Sequence, residues 1–224
     1  MSWESSAEYY RFINEAVRDR LGGFHSARCL MFSFDFADVQ TLQAKGDWQE
    51  AGRVLAGAAR AVEAGGADLL ILCTNTMHEV ADTVQEAVSI PLLHIADPTG
   101  ERVSADGHAI VGLLATRYTM QRDFYRARLL ERHGLTVLVP DEAGRDAVHE
   151  VIYAELVKGV VREESRARYR EVINDLVEGG AEALILGCTE IELLIGEADS
   201  PVAIYDTTRL HAEAAVDLAL ADGA

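Results

Sequence analysis

Lysine is almost absent from this chain: Lys45 and Lys158 stand beside eighteen arginines, and the 20 basic residues face 37 acidic ones, for a net charge of −17. Nucleic-acid binding needs a basic footprint that displaces counterions from phosphates, so that class is excluded. An anionic membrane surface is excluded on the same ground, and an anionic small substrate needs a local cluster of donors. Lys158 is therefore a candidate contact for such a substrate. No apolar run approaches the roughly 20 residues that span a bilayer, and MSWESSAEYY has neither the basic nor the apolar region of a signal peptide, so a cytoplasmic location is expected. Cysteine is scarce too. Cys29, Cys73 and Cys188 are too few for a disulfide framework and lack the spacing of a zinc site, and His25 with Cys29 makes no metal pair, so no metal is expected.

What the chain does contain is an internal echo. GGADLLILCTNTMH, from Gly65 to His78, returns 114 positions later as GGAEALILGCTEIE, from Gly179 to Glu192. Register decides its meaning, because a shift of one residue turns every strand side chain to the other face. With the Gly-Gly-Ala corners superposed, Leu70, Ile71 and Leu72 fall on Leu184, Ile185 and Leu186, Cys73 falls on Gly187, and Thr74 falls on Cys188. Cys73 thus points into packing, where a free cysteine acts as a small apolar residue. A second match, Glu8-Tyr9-Tyr10-Arg11 with Asp123-Phe124-Tyr125-Arg126, recurs at a spacing of 115.

Apolar runs alternate with helical patterns, as in α/β proteins built on parallel sheet. The expected architecture is two pseudosymmetric lobes, each a parallel sheet flanked by helices: residues 1–100, residues 101–205, and a C-terminal helix over 206–224 packing back on the first lobe. In the first half, helices are expected over Ser6–Leu21, Trp48–Ala64 and Met77–Val88. Strands are expected over Arg28–Phe34, Asp68–Cys73 and Leu92–Ala96. The stretch from Asp35 to Asp47 reads as a long polar loop of the kind that serves function. In the second half, strands fall at Ala109–Leu114, Thr136–Val139, Ala183–Gly187 and Val202–Tyr205. Helices there fall near Met120–His133, Glu142–Lys158, Val161–Glu178 and Thr207–Leu220, with a helical turn at Thr189–Ile195. The strand at Ala109–Leu114 has its counterpart before Met1, so the first strand of the N-terminal lobe is missing; either the true start lies upstream or that lobe closes differently.

Parallel sheets present functional groups at the carboxyl ends of their strands, where Thr74 and Cys188 both lie. Asn75, Thr76, Thr189 and Glu190 follow them. Asn75 and Thr189 are expected to cap the next helices through their side chains, and the backbone amides there would cradle a carboxylate. A helix N-terminus would also lower the Cys188 thiol from its free value near 8.5, making the thiolate a base or nucleophile.

With MSWESSAEYYRFIN, CTNTMH (73–78), ATRYTM (115–120), GCTEIE (187–192) and DTTRLHA (206–212) taken together, the chain resembles the aspartate/glutamate racemase family over nearly its whole length. Hydantoin racemases and arylmalonate decarboxylases are relatives. The resemblance implies a cofactor-independent enzyme that needs no pyridoxal phosphate, acts on a small acidic amino acid, and assembles as a homodimer with substrate between its lobes. It also implies a strand ending in Gly-Gly just before the MSWES motif. In the family one thiolate removes the α-proton and a second thiol returns one from the far side. Here Cys188 matches the second cysteine, Glu190 would hold or tune it, and Thr74 stands where a CNTAH-like motif has the first.

A threonine hydroxyl ionises far less readily than a thiol but can still donate or relay a proton, so the expected enzyme is lopsided; the resemblance implies that the C-terminal cysteine, Cys188, serves the L enantiomer, which would set the direction of the bias. Gln43 and Lys158 lie where relatives contact the side-chain carboxylate, and Ser5 and Thr116 are further polar candidates. His78 either orients a neighbour or is a structural or solvent-facing histidine. The alternatives are a single-cysteine decarboxylase, which Thr74 fits less well, and a non-catalytic binding protein for an acidic amino acid.

Overall fold

Ser2 starts the first helix, α1 (Trp3–Leu21), by accepting the Ser5 amide on its side chain, and Gly22 at a φ of 71° stops it. The computed structural model describes residues 1–221 and divides into two units, one of residues 1–95 with the chain from His211 onward, the other of Ala96–Leu210.

In the first unit, α1 buries Ser5, Tyr9, Phe12, Ala16 and Val17, the spacing of one helical face. The region from Asp35 to Asp47 is not the expected loop but helix α2 (Phe36–Lys45), capped by the Asp35 carboxylate and ended by Gly46 in the left-handed region. Phe36, Val39 and Leu42 at threefold spacing form its apolar side, a signal outweighed in the sequence by the surrounding polar residues. Next come α3 (Trp48–Ala64), β1 (Leu70–Ile71), a 3-10 turn at Thr76–Val80, α4 (Ala81–Gln85) and β2 (Leu92–Leu93). β1 and β2 pair in parallel, Leu70 with Leu92 and Ile71 with Leu93. Leu70 and Leu72 enter a core with Val39, Ala51, Leu55 and Ala59, whereas Ile71 and Cys73 pack against Tyr9, Phe12 and Ala212. This two-residue alternation puts helices on both faces of the strand. The strand expected at Arg28–Phe34 is not formed: residues 24–35 carry no regular secondary structure and join no sheet among the described residues.

The second unit opens with α5 (Ala96–Ala105) and continues through β3 (Ile110–Ala115), α6 (Arg117–Gln121), α7 (Asp123–His133) and β4 (Thr136–Leu138). α8 (Glu142–Ala154), α9 (Glu163–Glu178), β5 (Ala183–Gly187) and β6 (Ala203–Asp206) follow, and α10 (Thr207–Ala221) ends the chain order, belonging to the first unit from His211 onward. The single helix expected at Met120–His133 is two, because Arg122 is extended at φ −85° and ψ 151°. The four strands are parallel in the order β4-β3-β5-β6. β3 and β5 are central, which is why Val111, Leu113, Leu114, Ala183, Leu184 and Ile185 are wholly buried and read as unbroken apolar runs. Gly187 ends β5 where added bulk would meet Leu113 at 2.9 Å and the Ala115 side chain at 3.0 Å, so the residue before Cys188 has no room for a side chain. No helix among the described residues is long and apolar enough to cross a membrane.

Candidate functional site

Each unit contributes one turn that follows a strand carboxyl end. In the first, the Thr74 amide donates to the Leu72 carbonyl at 2.7 Å, turning the chain sharply out of β1. Thr74, Asn75 and Thr76 are buried. The Ser5 hydroxyl donates to the Cys73 carbonyl at 2.8 Å, so Ser5 holds the turn from α1. His78 closes it from the other side: Nδ1 meets the Thr74 carbonyl at 2.8 Å while Nε2 accepts the Ile95 amide at 3.2 Å. That pairing fixes the tautomer with the proton on Nδ1, and burial with neighbouring His94 and His211 holds His78 well below the ordinary histidine range. His78 is thus buried, not solvent-facing, with both ring nitrogens engaged by backbone groups around the turn. Asn75 makes no side-chain cap, contrary to expectation, because the segment it precedes is a 3-10 turn entered from helical backbone at φ −81°.

Gln43 is buried on α2, and its amide nitrogen lies 3.1 Å from the Met77 sulfur, which places it beside this turn. Cys73 packs against Tyr9 and Phe12, and burial pushes its thiol up to about 11.

The second turn follows β5. Cys188 is half-buried, and its thiol donates to Glu190 Oε2 at 3.0 Å. The Thr189 hydroxyl donates to the same oxygen at 2.6 Å. Thr189 therefore braces the carboxylate instead of capping the next segment, which is again a 3-10 turn, Ile191–Leu193. Burial pushes the Cys188 thiol well above its usual range, and the Glu190 charge adds to that. This reverses the expected direction: a three-residue turn supplies little dipole, and a carboxylate in hydrogen-bond contact outweighs it.

Thr116 caps α6 by accepting the Thr119 amide, with the two hydroxyls 3.2 Å apart, and both side chains are buried. Lys158 ends a 3-10 turn at Leu156–Lys158 with its side chain exposed. The structure thus groups Cys188 with Thr189 and Glu190, and Thr74 with Asn75, Thr76, Ser5 and Gln43.

An aromatic group beside Cys188 was not anticipated. Tyr153 is held up by burial and then by Cys188, Tyr118 and Glu190. His149 lies between the two tyrosines, 4.7 Å from Tyr153 and 5.7 Å from Tyr118 between ring centroids, and accepts the Arg117 amide on Nδ1 at 3.2 Å. The sequence signal for it was the i,i+4 spacing of His149 and Tyr153 on α8.

Replacing Glu190 with glutamine removes the charge that helps hold the thiol protonated. The expected result is that Cys188 ionises at lower pH in E190Q than in the parent, read as the difference in thiolate ultraviolet absorbance against matched Cys188→Ala proteins. An unchanged or higher ionisation pH would remove Glu190 from the account of the thiol.

Fold and turns define a class, parallel α/β proteins built from two repeated units, each with a proton-bearing side chain at a strand end. The chain belongs to the Asp/Glu/hydantoin racemase family, whose model matches residues 1–215. A candidate Asp/Glu racemase from Yersinia pestis, known from its crystal structure, is 50% identical with a TM-score of 0.91 over 98% of this chain and 96% of that one. An aspartate racemase homologue from Pyrococcus horikoshii OT3 is 31% identical with a TM-score of 0.82, over 97% and 94% of the two chains. A broad-specificity amino-acid racemase from Bacillus subtilis (strain 168) is 25% identical over 175 residues, 78% of this chain and 75% of the relative.

Proposed function

We propose that the protein is an amino-acid racemase acting on aspartate and/or glutamate without pyridoxal phosphate, with Cys188 as the residue that exchanges the α-proton. The observation that carries this reading is the Cys188-Glu190 contact at 3.0 Å, at the position the internal repeat matches to Thr74. In this reading the thiol proton leaves to solvent and Cys188 reacts as the thiolate, with Glu190 holding and tuning it. The thiolate then takes the α-proton of the L enantiomer and returns to the thiol, leaving a carbanion stabilised by the substrate carboxylate. A proton delivered from the opposite side completes inversion; in this reading Thr74 delivers it and takes a proton back from solvent, while the Cys188 thiol releases one to solvent to restore the thiolate.

Asn75, Thr76 and Thr189 hold the α-carboxylate through their turns, and Gln43, Lys158, Ser5 and Thr116 are the further substrate-side candidates. Ser5 and Thr116 act through the turns they brace, given their bonds to Cys73 and Thr119. Cytoplasmic residence and a homodimer complete the reading. Thr74 carries no thiol, so the two directions are unequal. In deuterated water, α-proton exchange of L-aspartate or L-glutamate is expected to run faster than that of the D enantiomer; equal rates would sink the lopsided mechanism, and exchange of neither would favour a binding protein.

A further inference from the structure

The sheet of the second unit brings α8 to the thiol. Ala115 at the end of β3 pairs with Gly187 at the end of β5, so the turns leaving these strands, Thr116-Arg117 and Cys188-Thr189, start side by side. The Arg117 amide donates to His149 Nδ1 at 3.2 Å, which ties α8 to the first of those turns. One helical turn further on, Tyr153 lies close enough to Cys188 and Glu190 for their charges to act on its phenol. The buried Tyr169 of α9 donates to the Val148 carbonyl at 3.0 Å and so fixes the backbone next to His149.

An imidazole held this way has a defined hydrogen-bonding character. Nδ1 accepts a backbone N–H, so the neutral ring carries its proton on Nε2, and among the described residues Nε2 has no partner. The ring is half-buried, with Tyr118 at an interplanar angle of 89° and Tyr153 at 52°, which restricts its rotation. Burial first, and the Arg117 guanidinium second, hold His149 below the ordinary histidine range, with the Asp146 carboxylate opposing them. At pH 7 Nε2 is therefore a pure donor. Such a group cannot serve a substrate ammonium, which only donates; it fits a carboxylate, which only accepts.

We infer that His149 is a binding residue whose Nε2–H takes the side-chain carboxylate of the acidic substrate, an inference that rests on the racemase reading above. In that reading the α-carboxylate goes to the strand-end turns, which leaves the second carboxylate for the donor on α8. The two carboxylates make different demands. Charge moves onto the α-carboxylate as the carbanion forms, so a contact there strengthens towards the transition state. The side-chain carboxylate keeps its charge throughout, so a contact to it sets KM and leaves kcat alone.

Two substitutions separate the ring nitrogens. His149→Asn keeps an acceptor near Nδ1 for the Arg117 amide and lacks the far donor, whereas His149→Gln carries an amide N–H near Nε2. With L-aspartate or L-glutamate, H149N is expected to raise the KM of α-proton exchange about tenfold at unchanged kcat, the scale of a hydrogen bond to a charged group, and H149Q to recover most of the loss. A KM in H149N no higher than in H149Q overturns the proposal, because a ring needed only to hold Arg117 gives that order. A fall in kcat with KM kept overturns it too. Should H149N fail to fold, His149→Leu replaces it, and its difference from H149Q reads the same donor. An inactive parent is a failure of the racemase reading, and calorimetric titration of the same amino acids then decides: about tenfold weaker binding in H149N is expected. Equal affinity, or no binding by the parent, overturns the proposal.

Discussion

Replacing Cys188 with alanine is expected to lower L-aspartate or L-glutamate α-proton exchange by roughly a hundredfold to ten-thousandfold, the range attributable to one positioned acid or base. Cys188→Ser should lose nearly as much, since an alcohol hydroxyl ionises far less readily than a thiol whose free value is about 8.5. The thiol sits half-buried on a turn, not in a strand, so both variants should unfold within a few degrees of the parent. Calorimetric binding of the substrate separates the rival readings: loss of exchange with binding intact marks catalysis. Exchange that survives in C188A would remove Cys188 from the chemistry altogether.

The second large effect is a gain. Thr74→Cys places a thiol at the repeat-related position, and D-enantiomer exchange is expected to rise by about tenfold to a hundredfold, within the scale set by acid-base groups. The gain has a ceiling that Cys73 makes visible: a buried thiol one residue earlier is held up to about 11, so burial will also keep much of the introduced thiol protonated. Exchange of the L enantiomer should change far less. Thr74→Ser, which keeps the hydroxyl and drops the methyl, controls for packing. If T74C leaves D-exchange at the parent rate while remaining folded, proton delivery from this position is excluded.

Most of the fold was legible because its signals are local or periodic. Helix α3, helix α9 and strand β5 lie close to where the apolar spacing put them, and the parallel sheet follows from wholly apolar strands. The failures also have physical causes. Arg28–Phe34 has a strand's composition but no ladder, because strand formation requires a neighbour that a single segment cannot report. Asp35–Asp47 hides a ten-residue helix whose apolar side is only three residues wide among polar ones. Arg122 breaks a helical pattern that periodicity alone continues, because one extended residue leaves the apolar spacing nearly unchanged.

The candidate site divides in the same way. The sequence alone established the repeat, the register that pairs Thr74 with Cys188, and the placement of Cys73 in packing, since these depend only on order along the chain and on the two-residue alternation of strands. Tertiary structure decided the electrostatics. Whether Cys188 is held up or down depends on its burial and on the 3.0 Å approach of Glu190, and no spacing encodes these distances. It likewise decided that Ser5 bonds the Cys73 carbonyl, that His78 reaches the Ile95 amide, and that Tyr153 stands beside the thiol, because such contacts join separate segments and exist only once the fold has brought them together.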